Sequence, residues 1–263
     1  MTRILITGAS GLIGGLLARH LKRLGGYQIT ALNRSPVKDF DSVQADISDL
    51  ESIKPAFKNQ DVVIHMSAFA QNSSMPGSKF SGTVEEEWAG HLSTNIIGVY
   101  NVYEAARQSG VKRVIFGSSG AAIGGFEKIE PYRAIAEGRY ETITSDYTKI
   151  THEQFRPLGI YGAAKVWGEA IGRHFSDEYG ISVICLRIGS VRSDDWPDNP
   201  RRFSYYFSHR DILQMLVKCI HAPEDLKFDI FMAASDNKWT YYDLEHTKKV
   251  LGYVPQDKSE DFV

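Results

Sequence analysis

Apolar positions along this chain switch between a period of two and a helical period, and the switches set out the elements in order. Arg3-Ile4-Leu5-Ile6 is a short β-branched run, followed after a glycine-rich turn by an amphipathic stretch from Leu12 to Leu24. Tyr27 to Leu32 predicts a second strand, Val43 to Asp46 a short third, and Ser48 to Phe57 a helix with Ser48 or Asp49 as N-cap. The continuous apolar run Asp61-Val62-Val63-Ile64-His65 suits a strand in a parallel sheet covered on both faces, and His65 reads as a packed, hydrogen-bonded residue. Residues 71–83 are polar and rich in Gly and Ser and predict a surface loop, and a long helix follows from Val84 to Ser109, closed by Gly110. Val111 to Phe116 predicts the fifth strand, Tyr161 to Tyr179 a helix stopped by Gly180, and Ile181 to Ile188 the sixth strand. Between them, residues 126–148 have no clean period and predict an excursion over the sheet edge. Val191 to Arg202 is a Pro-containing loop, and Ser208-His209-Arg210-Asp211 has the form of a capping box ahead of a helix from Ile212 to His221. Phe228 to Ala233 predicts a last strand and Tyr242 to Leu251 a last helix.

Strands alternating with helices predict an α/β fold, a Rossmann-type doubly wound parallel sheet. The expected division is a dinucleotide-binding region over residues 1–188 and a small C-terminal substrate-binding cap over 189–263, packed on the same domain. A chain of 263 residues, 43% hydrophobic and 24% charged, is long enough for one such domain with a substantial core. The formal net charge of −2 leaves no basic field for nucleic acid or an anionic membrane, so a small-molecule partner is expected. No run approaches the length of a membrane span. Cys185 and Cys219 lie far apart in apolar runs, which predicts buried free thiols and a cytoplasmic setting. The histidines show no metal-ligand spacing, so no metal is expected. A homodimer is the assembly left open.

The first strand delivers Thr7-Gly8-Ala9-Ser10-Gly11-Leu12-Ile13-Gly14 to the N-terminus of the first helix, an arrangement that aims backbone N–H groups at a pyrophosphate. Gly8 permits the sharp turn, Gly11 the approach of phosphate, and Gly14 close packing of helix on strand. The second strand ends in Asn33-Arg34, with no acidic residue for a ribose diol. A neutral Asn33 beside a cationic Arg34 favours NADP over NAD, the alternative being a solvated arginine in a turn. Asp46-Ile47 is placed to flank an adenine, and Met66-Ser67-Ala68 to run beside the cofactor.

Tyr161 and Lys165 stand four residues apart, on one face of one helix. A free phenol has a pKa of about 10, and bringing it near neutrality takes about 4 kcal/mol at roughly 1.4 kcal/mol per unit. One cation about 4 Å away supplies that order of energy at an effective dielectric near 20. Lys165 is the nearest candidate, and an oxidised nicotinamide would add a second positive charge.

With Gly8, Gly11, Gly14, Asp46-Ile47, Asn95, Ser119, Tyr161 and Lys165 in this order, the chain resembles the extended short-chain dehydrogenase/reductases, the NAD-dependent epimerase/dehydratase group. The resemblance implies that Ser119 holds the reacting oxygen, Tyr161 moves its proton, Lys165 holds the ribose and tunes Tyr161, and Asn95 holds a water linking Lys165 to solvent. Asn95-Ile96-Ile97-Gly98, Arg187-Ile188-Gly189-Ser190, Tyr206-Phe207-Ser208-His209 and the closing Gln256 to Phe262 resemble the uronate dehydrogenase branch. That resemblance implies that Arg201 grips a substrate carboxylate, with Gly120, Ser190 and Phe262 also at the substrate. It fails at Gly120, Ala121 and Ala70, where the branch has polar contacts, and in the longer interval from Ser119 to Tyr161. The implied activity is an NAD(P)-dependent oxidoreductase of a sugar or sugar acid. A nucleotide-sugar epimerase shares the tetrad but usually has a larger C-terminal lobe, a 4,6-dehydratase would want an acidic pair where Gly120-Ala121 stands, and a non-enzymatic dinucleotide sensor tends to lose the tyrosine or lysine.

Overall fold

The computed structural model describes residues 1–71, 73, 80–144 and 146–262. Seven parallel strands form one sheet: β1 (Thr2–Thr7), β2 (Tyr27–Asn33), β3 (Asp41–Gln44), β4 (Val62–His65), β5 (Arg113–Ser119), β6 (Ser182–Ile188) and β7 (Phe228–Ala233). Their spatial order is β3-β2-β1-β4-β5-β6-β7, so the winding reverses between β1 and β4 and opens a crevice at the carboxyl ends of those strands. On one face, α1 (Leu12–Leu24) and α8 (His209–Ile220) bury Leu17, Leu21, Met215 and Leu216 against the sheet. On the other, α2 (Leu50–Phe57), α4 (Gly98–Gln108) and α6 (Gly159–Tyr179) bury Phe57, Val102 and Phe175. Both faces being covered explains why β4 and β6 read as unbroken apolar runs. Cys185 and Cys219 are free and buried, and burial pushes the Cys219 thiol up to about 12. No helix among the described residues is long and apolar enough to cross a membrane.

The residues beyond Ile188 supply β7 to the same sheet and α8 to the face that α1 covers. Arg113 ties this region down, donating from a buried guanidinium to the carbonyls of Cys219, Ile220, Ala222 and Pro223 at the C-terminal end of α8. A cation there satisfies carbonyls that the helix leaves without partners and opposes its dipole.

Several boundaries differ from the sequence reading. β3 ends at Gln44 rather than Asp46, because the Asp46 carboxylate accepts from Ser48 N (2.9 Å) and Ser48 Oγ (2.8 Å) and takes the chain out of the ladder. The long helix predicted from Val84 is α3 (Val84–Gly90), a π-helical segment His91–Ile97, and α4. Part of the loop predicted over 71–83 lies outside the described residues. The last helix, α9 (Glu245–Leu251), starts three residues late, since Tyr241 and Tyr242 are extended beside Ile150, whose N–H donates to Tyr241 O at 2.8 Å. The excursion over 126–148 holds a helix, α5 (Tyr132–Glu137), between 3-10 turns at Gly124–Lys128 and Tyr140–Thr142. Against it packs α7 (Pro200–Ser204), which begins inside the stretch expected to be loop and runs past its end, with Asn199 as N-cap accepting from Arg202 N.

His65 is the packed residue the sequence suggests. Its Nδ1 lies 2.6 Å from Thr7 Oγ1 on β1, its ring stacks on Phe116, and burial pushes its pKa down to about 3. The unfolded chain therefore binds a proton that the folded chain refuses between about pH 6.5 and about pH 3. Stability from this group is complete above that window and falls on acidification by about 1.4 kcal/mol per pH unit. Chemical denaturation at two pH values inside the window should show a shallower acid loss for His65→Gln than for the parent chain; equal slopes would remove His65 from the account.

Candidate active site

The turn between β1 and α1 is built around two glycines. Gly8 has φ of +72°, and a Cβ there would sit 2.7 Å from Ser67 N; a Cβ on Gly14 would overlap the Gly8 carbonyl. This close approach brings the start of α1 against the end of β4. Two cavities lie along the crevice. One, of about 550 Å³, is lined by Gly8, Ser10, Gly11, Asn33, Arg34, Asp46, Ile47, Met66, Ser67 and Ala68. The other, of about 350 Å³, is lined by Gly11, Leu12, Ile13, Gly14, Met66, Ala68, Ser119, Tyr161 and Lys165. Every residue that the sequence assigns to the cofactor thus borders one or both. Asn33 hydrogen-bonds Ser10 across the turn, and the exposed Arg34 lines the first cavity.

Ser119 ends β5, and its Oγ accepts from Ala121 N at 3.1 Å. Tyr161 and Lys165 come from the first turns of α6, with Lys165 Nζ 5.5 Å from the Tyr161 ring centroid. Lys165 is buried, donates to Gly117 O at 2.7 Å, and has its pKa pushed down by burial to about 8, with Glu169 opposing. The phenol behaves otherwise than a neighbouring cation alone would make it. Burial pushes Tyr161 up to about 12, and a hydrogen bond with Ser119 only partly opposes this. The protein groups therefore hold the phenol neutral, because desolvation of a phenolate outweighs what the hydrogen bond with Ser119 returns.

Asn95 is in the π-helical segment, where one extra residue per turn directs it and His91 inward. Its Oδ1 accepts from Phe69 N (2.9 Å), and its Nδ2 donates to Phe69 O (2.8 Å) and lies 2.8 Å from His91 Nδ1. These contacts with Phe69 make the Asn95 side chain a clamp that fixes the chain leaving β4. His91, which the sequence reading passed over, is buried between Asn95, the Glu87 carboxylate at 3.7 Å, Phe69 and Tyr161. Its signal was a histidine four residues before Asn95 on the same face.

Behind the site, Glu169 of α6 and Arg187 of β6 form a buried pair, Nη2 to Oε2 at 2.8 Å and Nε to Oε1 at 2.9 Å. Ser118 Oγ donates to the same carboxylate (2.6 Å), and Arg187 Nη1 to Gln154 O (2.6 Å).

A third cavity, of about 660 Å³, meets the second along Ser119, Ile188, Gly189 and Val191 and extends under α5 and α7. Gly120, Ser190 and Arg201 line it. Phe262 instead packs edge-on against Trp196 and Tyr206, 4.9 and 5.3 Å between centroids, and is not among the residues bordering this cavity. Arg201 does not face the cavity as a free cation. Its Nε donates to Glu127 at 2.7 Å, and its Nη1 to Tyr205 Oη. Three residues that the histidine spacing did not connect, His152, Asp229 and His246, also converge, at the edge of α6 away from these cavities, with His246 Nε2 2.9 Å from the Asp229 carboxylate.

A profile of the NAD dependent epimerase/dehydratase family matches residues 4–222. Uronate dehydrogenase of Pseudomonas putida is 32% identical over 99% of this chain and 86% of its own length. NAD-dependent glucose-6-phosphate dehydrogenase of Haloferax volcanii is 30% identical over 98% of this chain and 95% of its own. The crystal structure of uronate dehydrogenase from Agrobacterium tumefaciens superposes with a TM-score of 0.79 at 28% identity, covering all of this chain and 87% of that one.

Proposed function

The chain belongs to the NAD dependent epimerase/dehydratase family, and from that premise we propose that it is an NAD(P)-dependent dehydrogenase oxidising a CH–OH carbon of a sugar. The observation that carries the reading is the meeting of the dinucleotide crevice with a second, larger cavity at Ser119, beside Tyr161 and Lys165. The crevice fits a dinucleotide: Gly8 and Gly14 cannot carry a Cβ, and the backbone N–H groups at the start of α1 remain for phosphate oxygens. Gly11 and Ser10 would hold the pyrophosphate, Asp46 and Ile47 the adenine, and Lys165 the nicotinamide ribose. An oxidised nicotinamide would supply the hydride acceptor and a positive charge beside the phenol. Ser119 Oγ would hold the substrate oxygen while Tyr161 Oη takes its proton, and the carbonyl forms as the C–H electron pair leaves. An epimerase would return those electrons to the sugar. A panel of aldoses, uronates and sugar phosphates with NAD(P) should therefore give reduced cofactor in amounts equal to sugar consumed; isomerisation without net reduction would contradict the dehydrogenase reading.

We further propose that NADP is preferred over NAD. Supporting this, Arg34 borders the cavity that holds Asn33 and Asp46, and Ser10 is shared with a neighbouring cavity of about 630 Å³ lined by Arg19, Lys22, Arg23 and Lys38. A charge-assisted contact to a 2′-phosphate contributes about 1.5 to 3 kcal/mol, or roughly 10- to 150-fold in affinity. Fluorescence titration of Arg34→Ala should show that loss for NADP and little change for NAD; equal losses for both would refute it.

A further inference from the structure

The excursion after Ser119 places a carboxylate where an acidic substrate would need a cation. Glu127, in the 3-10 turn Gly124–Lys128, has both oxygens engaged: Oε2 accepts from Arg201 Nε at 2.7 Å and Oε1 from Tyr241 Oη at 2.6 Å. The pair is well shielded, with side-chain exposures of 18% for Arg201 and 9% for Glu127. The guanidinium also lies 5.0 Å over the Tyr205 ring and donates to its hydroxyl. Two of the three nitrogens of Arg201 are thereby committed within the chain. A second carboxylate at this arginine would have to sit against that of Glu127, or expel it from Tyr241 and leave a buried anion unpaired. Other cations of the same cavity are also matched: Arg133 pairs with Glu130 at 2.9 Å and Arg202 with Asp198, which leaves the exposed Lys128 at the mouth.

A second observation points the same way. Tyr242 is fully buried and lines this cavity, yet its hydroxyl has no hydrogen-bond partner among the described residues. It lies beside Gly120, where any Cβ would overlap it, and its ring is held by stacking on Tyr205. Buried hydroxyls in folded proteins are nearly always satisfied, so one left open at a cavity wall points to a ligand group that completes it. A phenol both donates and accepts, which suits a sugar hydroxyl. At Gly120 and Ala121 the chain lacks side-chain polar contacts, and Tyr242 brings one in from a different part of the sequence.

We propose that Glu127 occupies, from within the chain, the place at Arg201 that a substrate carboxylate would take, and that the cavity accepts an uncharged aldose, one hydroxyl of which bonds Tyr242 Oη. This rests on the reading of the chain as a sugar dehydrogenase. It separates the pocket from proteins named for uronate and glucose 6-phosphate, both of them anions.

The test is the ratio of kcat/KM for neutral pentoses and hexoses to that for hexuronates and hexose phosphates, measured on the full chain with saturating NAD(P). The neutral sugars should lead by about 100-fold, equivalent to roughly 2.8 kcal/mol at about 1.4 kcal/mol per decade. Glu127→Gln keeps the acceptor for Tyr241 and removes the charge, and should lower the neutral-to-uronate ratio about tenfold, chiefly through a lower KM for uronate. Tyr242→Phe should raise KM for the neutral sugar about tenfold with a smaller change in kcat. A wild type that prefers a uronate or a sugar phosphate overturns the proposal, as does a folded Glu127→Gln with an unchanged ratio; if that variant does not fold, the wild-type ratio decides alone. Failure to oxidise any sugar while NAD(P) still binds would remove the dehydrogenase reading and this proposal together, an outcome distinct from oxidation with the opposite preference.

Discussion

Tyr161→Phe is expected to lower kcat for sugar oxidation by about 10²- to 10⁴-fold, the range contributed by a positioned general acid or base. The dissociation constant for NAD(P) should stay within about twofold, since the substitution removes one hydroxyl and leaves Lys165 and the glycine turn that border the same cavity in place. The size of the effect follows from burial. The protein groups leave the phenol at about 12, so the site depends on positive charge to make it a usable base near neutrality. Lys165 supplies such charge only while protonated, and burial has brought its own pKa to about 8. Pre-steady-state mixing separates the steps: cofactor binding should be unchanged and the reduction burst lost. A variant keeping more than about a tenth of the parent rate would exclude Tyr161 as the proton-transfer group.

The second large effect is on stability. Glu169→Ala should cost about 3 to 5 kcal/mol, because it leaves the Arg187 guanidinium buried at 2% exposure with its carboxylate removed. Ser118 Oγ loses its acceptor in the same step. The double variant Glu169→Ala with Arg187→Met should recover a good part of that loss, since removing both charges avoids the unpaired one. Urea denaturation of the three chains reads this directly. Additive losses in the double variant would show that the pair contributes through packing alone.

The parts of this molecule that were legible in the sequence are those that short spacing determines. Gly8, Gly11 and Gly14 sit within one turn and one helix start, and Tyr161 and Lys165 within one helical repeat, so their neighbourhood follows from local geometry. The buried strands were legible because a sheet covered on both faces demands uninterrupted apolar runs. What escaped depends on residues far apart along the chain. Glu127 meets Arg201 across an irregular segment with no period, and Tyr242 reaches Gly120 because an extended stretch replaces the helix start expected there. The π-helical segment was hidden for another reason. Its apolar pattern is close to that of an ordinary helix, and only the inward polar pair His91 and Asn95 marks it.

The account stands on transfer of hydrogen from a sugar carbon to the nicotinamide ring with Tyr161 taking the hydroxyl proton. The most direct test is incubation of the protein with NAD(P) and a carbon-deuterated neutral aldose, followed by mass spectrometry of the cofactor and the sugar. The account predicts reduced cofactor carrying one deuterium for each sugar oxidised, and no such product with Tyr161→Phe on the same timescale. Deuterium retained in an isomerised sugar, with the cofactor pool left oxidised, would contradict it.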